Sequence, residues 1–389
     1  MSDKSDVGEK YLNSWEAARN SASKRCAISA RHSVHLRIPR QRAEVSAVTL
    51  RRMNHDWLLV ETLGTEPVVV AQGRQMKSLV PLGAFLRRNP NLAAIQTAIA
   101  ETVASGNSLA SITPKSDRVI RTEPVVMSDG KVHGVHVWIG PVDTEPPERP
   151  IPGPLKWDMT TGVATDTVES LTNSGMDPNE ERTHGRAFAE DLPSRDLNRD
   201  EARVLALAVD PAPDRTYCTS WDFTDKQGNF RRVGFVARTA MEIVDDGTEH
   251  LIARAMNLEG EIDEGAAQTD HLAQRILNGL SQPGVHRALV DLGTWHLLRW
   301  LDDPCPYYDW RQNVQFHPDD QWQLDKMTEE FETGSTSRVL RLPGVDGGWV
   351  PMHVTVNRVE LDNDVFAGLI SVRLPTDAEL AEADLHGAT

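Results

Sequence analysis

Beyond Phe316-His317-Pro318-Asp319-Asp320 the chain reads as a helix, a strand, a turn and two more strands. Pro318 presets a helical φ and lacks a donor that the first turn would waste. Asp319 and Asp320 place carboxylates at the positive end of the helix. Leu324, Met327 and Phe331 then recur at i, i+3 and i+7, an apolar stripe that predicts a helix over 322–331. A strand is expected over 338–341, a turn at Asp346-Gly347-Gly348-Trp349, and strands over 350–358 and 365–373. Met352, Val354 and Val356 alternate with His353, Thr355 and Asn357, the pattern of a half-buried antiparallel strand. A helix feeding an antiparallel meander restricts the region to an α+β fold.

This order resembles the C-terminal half of a PAS sensor domain, in which a His-Pro-Asp-Asp turn caps a helix ahead of a three-stranded meander. Two upstream regions follow a similar order. Residues 53–144 predict strands over 57–63 and 67–71, a short helix over 79–88 and a longer one striped by Leu92, Ile95, Ile99 and Val103 that stops at Gly106. A hairpin over 118–139, turning at Ser128-Asp129-Gly130, closes the unit. Residues 155–260 open on Trp157-Asp158-Met159-Thr160-Thr161-Gly162, which resembles the first strand and turn of many PAS domains. A helix capped by Asp196 or Asn198 follows, then strands over 216–223, 230–238 and 250–257. In the second of these strands Val233, Phe235 and Ala237 face one way and Arg232 and Arg238 the other. The third unit, 285–375, starts on Gly293 to Trp300, again similar to a PAS first strand.

The reading is therefore α+β, with three PAS/GAF-like modules, each an antiparallel sheet of about five strands with helices on one face. Pro-rich residues 145–154 are expected to be a stiff connector, since six prolines fall within 141–154. Residues 261–284 are expected to be a linker carrying a helix, with Leu272, Ile276, Leu277 and Leu280 along one side. That helix is a candidate for pairing two copies of the chain, or else a plain core-packing helix. Residues 376–389 read as an acidic tail. Residues 1–52 are basic, lack apolar periodicity and read as a disordered extension dispensable for folding, with Met53 an alternative start.

The chain has 389 residues, a net charge of −16, 39% hydrophobic and 25% charged residues, which fits a soluble globular protein of two to four domains. The acidic balance argues against a nucleic-acid surface. No apolar run is long enough for a membrane span, and no signal-peptide core is evident. Cys26, Cys218 and Cys305 are too few and scattered for a disulfide framework, so a cytoplasmic, reduced protein is expected.

Residues 53–375 also resemble a family of actinobacterial, mainly mycobacterial, proteins built from tandem PAS and GAF modules with no effector domain. The resemblance is carried by the stretches 56–64, 185–193 and 231–238. It implies a protein that binds a ligand or partner and relays a conformational change. Consistent with that, no phosphate loop, GxGxxG, HExxH, CxxC or GxSxG motif occurs.

Sensor pockets usually lie between sheet and helices. In the second unit the candidate ligand-binding residues are Trp157, Phe188, Tyr217, Trp221 and Arg238, an aromatic wall with one cation, or else an ordinary aromatic core. In the third unit they are Trp295, Trp300, His317 and Trp322, with Trp310 beside them. No cofactor is expected. A haem needs an axial His on a helix facing an apolar cavity, and His286, His296 and His317 are not so placed. A light-sensing flavin domain needs a Cys in an Asn-Cys-Arg context, which Cys218 and Cys305 lack. The alternative is a hydrolase using His317, Asp319 and Asp320, although helix capping also accounts for these carboxylates.

Overall fold

The structure, a computed structural model, describes residues 56–113, 118–190, 199–225, 227–262, 272–312, 315–330, 334–362 and 364–383. The expectations for 1–52, for the caps Asp196 and Asn198, and for Phe331 lie outside these residues.

The N-terminal module comprises β1 (Leu58–Glu61), β2 (Val68–Gln72), β3 (Gln75–Pro81), α1 (Leu82–Phe85), α2 (Leu92–Ser105), β4 (Leu109–Ile112), β5 (Arg118–Val126) and β6 (Val132–Pro141). Its sheet runs β3-β2-β1-β6-β5-β4. The middle module comprises β7 (Gly153–Asp158), β8 (Val163–Thr165), α3 (Val168–Asn173), β9 (Arg186–Ala187), α4 (Arg199–Val209), β10 (Thr216–Thr224), β11 (Phe230–Ile243) and β12 (Glu249–Glu259). Its sheet runs β10-β11-β12-β7-β8-β9. The C-terminal module comprises α5 (Leu272–Gly279), β13 (His286–Val290), β14 (Leu297–Trp300), α6 (Gln321–Glu330), β15 (Thr336–Pro343), β16 (Trp349–Asp362), β17 (Val365–Arg373) and α7 (Asp377–Glu382). Its sheet runs β14-β13-β17-β16-β15. Every strand pair is antiparallel, and each module sets its first strand beside its last, as β1–β6, β7–β12 and β13–β17. The class is α+β, and each module ends in a three-stranded meander after its helices.

Local chemistry sets the turns. Gly106 stops α2 in the left-handed conformation at φ 66°, with its N–H on the Thr102 carbonyl. Gly130 at φ 84° turns the β5–β6 hairpin, where Asp129 accepts from Lys131 N. Asp225 accepts from the backbone N–H groups of Gln227 and Asn229 to turn β10 into β11.

Three expectations are corrected. The first two sheets have six strands: in the first, 75–81 is an edge strand where a helix was expected from 79, and in the second the short strands β8 and β9 extend the sheet beyond β7. The C-terminal sheet begins at His286, and Gly293 to His296 is a turn, not part of the first strand. The Pro-rich stretch ends earlier than expected, since β7 starts at Gly153, and its connector is tied to both neighbours: Trp57 Nε1 donates to the Pro147 carbonyl and Asn173 Nδ2 to that of Ile151.

The modules stack. Helix α2 covers one face of the first sheet through Ile95, Ala98 and Ile99 against Val60, Val69 and Val135. The other face, with Leu59, Val70, Ala71 and Val125, meets Val236, Met256 and Leu258 of the middle sheet. Two glycines let these sheets approach. A Cβ on Gly134 would stand 2.9 Å from Met256 Sδ, and a Cβ on Gly234 would stand 2.3 Å from Met76 Sδ. Each sheet thus seats a methionine over a glycine of the other. The opposite face of the middle sheet shares one apolar cluster with the C-terminal sheet: Val233, Phe235 and Ala237 join Val204 and Leu205 of α4 and Leu289, Leu298, Leu301 and Ala367. Each large side chain buried there contributes about 1.5–3 kcal/mol. The remaining face of the third sheet, with Met352, Val354 and Val356, is covered by Leu324 and Met327 of α6.

Candidate functional site

The aromatic residues nominated in the middle module converge, but on a ring the sequence reading left out. Phe235 stacks on Trp157 at 5.3 Å and 26°, and lies 5.8 Å from Trp221 and 6.3 Å from Tyr217. Phe188 meets Trp157 edge-on at 4.7 Å. Phe235 thereby fills the space between sheet and helices. What remains is a void of about 20 Å³ walled by Asp166, Ser170, Ser174, Trp221 and Asn257, with room for a water molecule. Arg238 is not part of this set. The strand alternation turns it to the opposite face, where its Nε and Nη2 donate to Glu61 of the first module at 3.1 and 3.0 Å.

The C-terminal set disperses. Trp300 packs edge-on against Trp310 at 6.2 Å in the core, and Trp295 against Phe316 at 5.3 Å. Trp322 lies on the surface beneath the Lys326 ammonium. His317 accepts from Asp319 N and sets its ring against Trp349 at 5.0 Å. Asp320, 1% exposed, is held by the Arg341 guanidinium and also accepts from Arg341 N at 2.7 Å. The residues of the hydrolase alternative are thus occupied in capping a turn and pinning it to β15. Burial pushes the Cys218 thiol up to about 11 while it donates to the Lys77 carbonyl, and Cys305 is buried.

The polar and aromatic groups that do converge lie where the middle and C-terminal modules meet. Trp157, Phe188 and Trp310 line a narrow cleft of about 70 Å³. One lip is the turn after β7. Asp158 accepts from the N–H groups of Thr160 and Thr161, pairs with His250 Nδ1 at 2.7 Å, and the turn closes at Gly162 with φ 70°. The facing lip is the turn between β13 and β14, where Asp291 accepts from Gly293 N and Thr294 Oγ1. Trp295 sits there at φ 62°, a conformation costly for an aromatic residue. His296 Nδ1 lies 3.3 Å from where Gly162 would carry a Cβ, so the two turns touch.

A strap over 185–190 closes the cleft. Arg186, 2% exposed, is paired with the equally buried Asp166 and donates to the Glu190 carbonyl. Glu190 accepts from Ala187 N and, through its other oxygen, from Arg311 Nε at 2.8 Å. The Arg311 guanidinium stacks 4.2 Å over Trp310. Ala187 and Ala189 pack on the C-terminal core. The strap therefore joins the modules through apolar and charged contacts at once. Trp157 and Phe188 were nominated from sequence. His296 and Arg311 were not nominated as site residues, because their partners lie more than a hundred residues away in the chain.

A separate apolar pocket of about 370 Å³ lies between α4, α5 and the C-terminal sheet, lined by Leu205, Leu277, Leu289, Leu301 and Leu369, with Glu201 and Arg299 in its wall. Leu277 of α5 faces this pocket, while Ile276 and Leu280 are exposed. Among the described residues no group of three His, Cys, Asp or Glu side chains is placed to hold a metal ion. No helix among them is long and apolar enough to cross a membrane.

Comparison with known proteins follows the same three-part division. Residues 56–148 match the N-terminal domain of the Rv3651-like family, 151–260 its middle domain and 270–383 its C-terminal domain. A crystal structure of an uncharacterized protein from Mycobacterium tuberculosis is 63% identical, covers 85% of this chain and 99% of that chain, and superposes with a TM-score of 0.77. The chain belongs to the Rv3651-like family. No curated protein matches it. A sensory box histidine kinase/response regulator from Burkholderia thailandensis is 19% identical over 33% of this chain and 88% of that chain, with a TM-score of 0.21. The periplasmic sensory domain of the Campylobacter jejuni chemoreceptor Tlp1 is 8% identical over 44% of this chain and 53% of that chain, with a TM-score of 0.20. Scores this low carry no argument.

Proposed function

We propose that this Rv3651-like protein is a non-catalytic cytoplasmic sensor or scaffold, built of three PAS/GAF-like modules, that binds a small ligand or a protein partner and relays the event between modules. The observation that carries this reading is the shared core. Val233, Phe235 and Ala237 of the middle sheet and Leu289, Leu298 and Ala367 of the C-terminal sheet belong to one cluster. Such a shared core offers the contiguous packing through which a change in one module would reach the next. The common plan of paired strands, helices and a closing meander supports the module type. The strap over 185–190, with Trp157, Phe188, His296 and Arg311 about it, is the joint at which the relay acts. The exposed Ile276 and Leu280 of α5 suit a second copy of the chain as partner.

The test is a thermal-shift screen of the purified chain against a metabolite library, with each hit assayed for turnover. A ligand that raises the melting temperature without being consumed, and whose effect is lost in Thr161→Trp at the cleft lip, supports the proposal. Hydrolysis of an ester or nucleotide by the pure protein, abolished by His317→Ala, would overturn it.

A further inference from the structure

An open cavity of about 840 Å³ lies in the N-terminal module, at one end of the space between its sheet and its helices. Its size is in the range of ligand pockets, which run to about 1,000 Å³. Leu58, Val137 and Ile139 lie along its sheet side. Leu58 pairs across the sheet with Val137 on one side and Gln72 on the other, so these neighbours form a continuous surface. Phe85 and Leu86, at the end of α1, form the opposite wall and stay half-buried against the core of this module. Leu58 and Val137 are themselves buried, so the apolar surface that faces the cavity comes from the half-buried Phe85, Leu86 and Ile139.

The polar lining has a definite sign. Arg88, Asn89, Asn91 and Arg118 lie around the cavity, and Asp56 is the one carboxylate among the lining residues. Asp56 is turned toward the β2–β3 turn, its Oδ2 lying 3.5 Å from where Gly73 would carry a Cβ. Among the described residues, neither Arg88 nor Arg118 has an ion-pair or hydrogen-bond partner for its guanidinium. Elsewhere in this acidic chain, Arg186, Arg238, Arg254, Arg287 and Arg341 are each committed to a carboxylate. Two guanidiniums without a partner among the described residues, beside a mixed cavity with an apolar strip of Phe85, Leu86 and Ile139, match a ligand with a short apolar body and an anionic head, because arginine pairs with carboxylate through two parallel hydrogen bonds.

From this juxtaposition we infer that the N-terminal module binds a small amphipathic carboxylate, its hydrocarbon portion on Phe85, Leu86 and Ile139 and its carboxylate at Arg88 and Arg118. The site is independent of the joint between the middle and C-terminal modules, so either assignment can fail alone.

The probes are decanoate, decanol and decyltrimethylammonium below their micellar concentrations, titrated calorimetrically into the full chain. Decanoate should bind with one-to-one stoichiometry, and decanol roughly tenfold more weakly, the value of about one charge-assisted hydrogen-bond pair. Decyltrimethylammonium should bind weakest. Arg88→Ala/Arg118→Ala should reduce decanoate to the affinity of decanol while leaving the melting temperature unchanged, since both side chains are exposed and have no partner among the described residues. Ile139→Trp, which fills the cavity floor, should abolish binding of all three. Equal affinity for the three probes, no binding of decanoate, or decanoate binding unchanged by the double arginine variant would each overturn the inference.

Discussion

The two joints of this molecule are built from different chemistry. Between the N-terminal and middle modules, charges bracket a small apolar patch. Glu61 pairs with Arg238, Arg74 with Glu259, and Lys131 with Glu242, while Asp129 meets both Lys156 and Arg254. His133, fully buried, lies with Nδ1 2.9 Å from the Ala255 carbonyl and Nε2 3.1 Å from Arg254. Between the middle and C-terminal modules the joint is a continuous apolar core holding the buried ion pair Glu201–Arg299, with the more exposed pairs Glu190–Arg311 and Arg203–Asp362 at its rim. The first joint should answer to pH and salt. The second should answer mainly to packing.

The largest expected effect is at the second joint. Arg299→Ala leaves the Glu201 carboxylate buried without its cation and should cost about 3–5 kcal/mol in urea unfolding at pH 7. Replacing both, as Glu201→Leu/Arg299→Met, should recover most of that loss. A cost under about 1 kcal/mol for Arg299→Ala would mean the joint admits water and the contrast fails.

Next comes pH at the first joint. Burial, with the Arg254 guanidinium alongside, lowers His133 from 6.5 to about 4, and burial with Arg149 nearby lowers His136 to about 3. These rings stay neutral in the folded chain but take up protons in the unfolded one below pH 6.5. Stability is therefore full above that pH and falls as pH drops from 6.5 toward 4 and 3. Between pH 7 and 5 the loss should be about 2 kcal/mol per ring. Glu242, held down at about 2 by Arg254 and Lys131 despite its burial, adds a loss in the same direction from 4.5 downward. Hydrogen exchange should rise at β6 and β12 on acidification before it rises at β13 and β17. His133→Gln should remove about half of the loss between pH 7 and 5, and an unchanged slope would contradict the assignment.

Arg238→Ala should cost about 1–3 kcal/mol, since Glu61 is 2% exposed and keeps Leu63 N as a donor. The smallest effect is expected for Arg74→Ala, whose pair with Glu259 is over a third exposed on both sides. That change should stay within about 0.5 kcal/mol and vanish at high salt, whereas Arg238→Ala should keep most of its cost there.

How much of this was legible in the sequence depended on distance along the chain. The hairpin at Asp129-Gly130, the helix ending at Gly106 and the meander after α6 were readable, because turn residues and apolar period lie within a dozen positions. Strand β3 was not, since its half-buried edge lacks alternation and contains Leu79 at φ 51°. Strand β13 was passed over because only three of its five residues, Ala288, Leu289 and Val290, are apolar, a run indistinct beside the Trp-containing stretch that follows it. In the site, Trp157 and Phe188 could be nominated by type. Arg238 was misplaced because its partner lies 177 residues away, and the insertion of Phe235 among the rings depends on strand register. The cavity by Arg88 and Arg118 was missed because 79–88 reads as a short helix, and its walls come from segments as far apart as 56, 88 and 139.

The paired methionines and glycines of the first joint make substitutions there interdependent. Met256 occupies the space above Gly134, and Met76 the space above Gly234. A side chain gained on one sheet must be matched by one lost on the other, since a packed interior absorbs little added volume. Divergence at 76 and 234, and at 134 and 256, should therefore proceed in steps of two. An alanine at Gly234 should be tolerated only beside a residue shorter than methionine at 76, although none of these positions touches a proposed ligand.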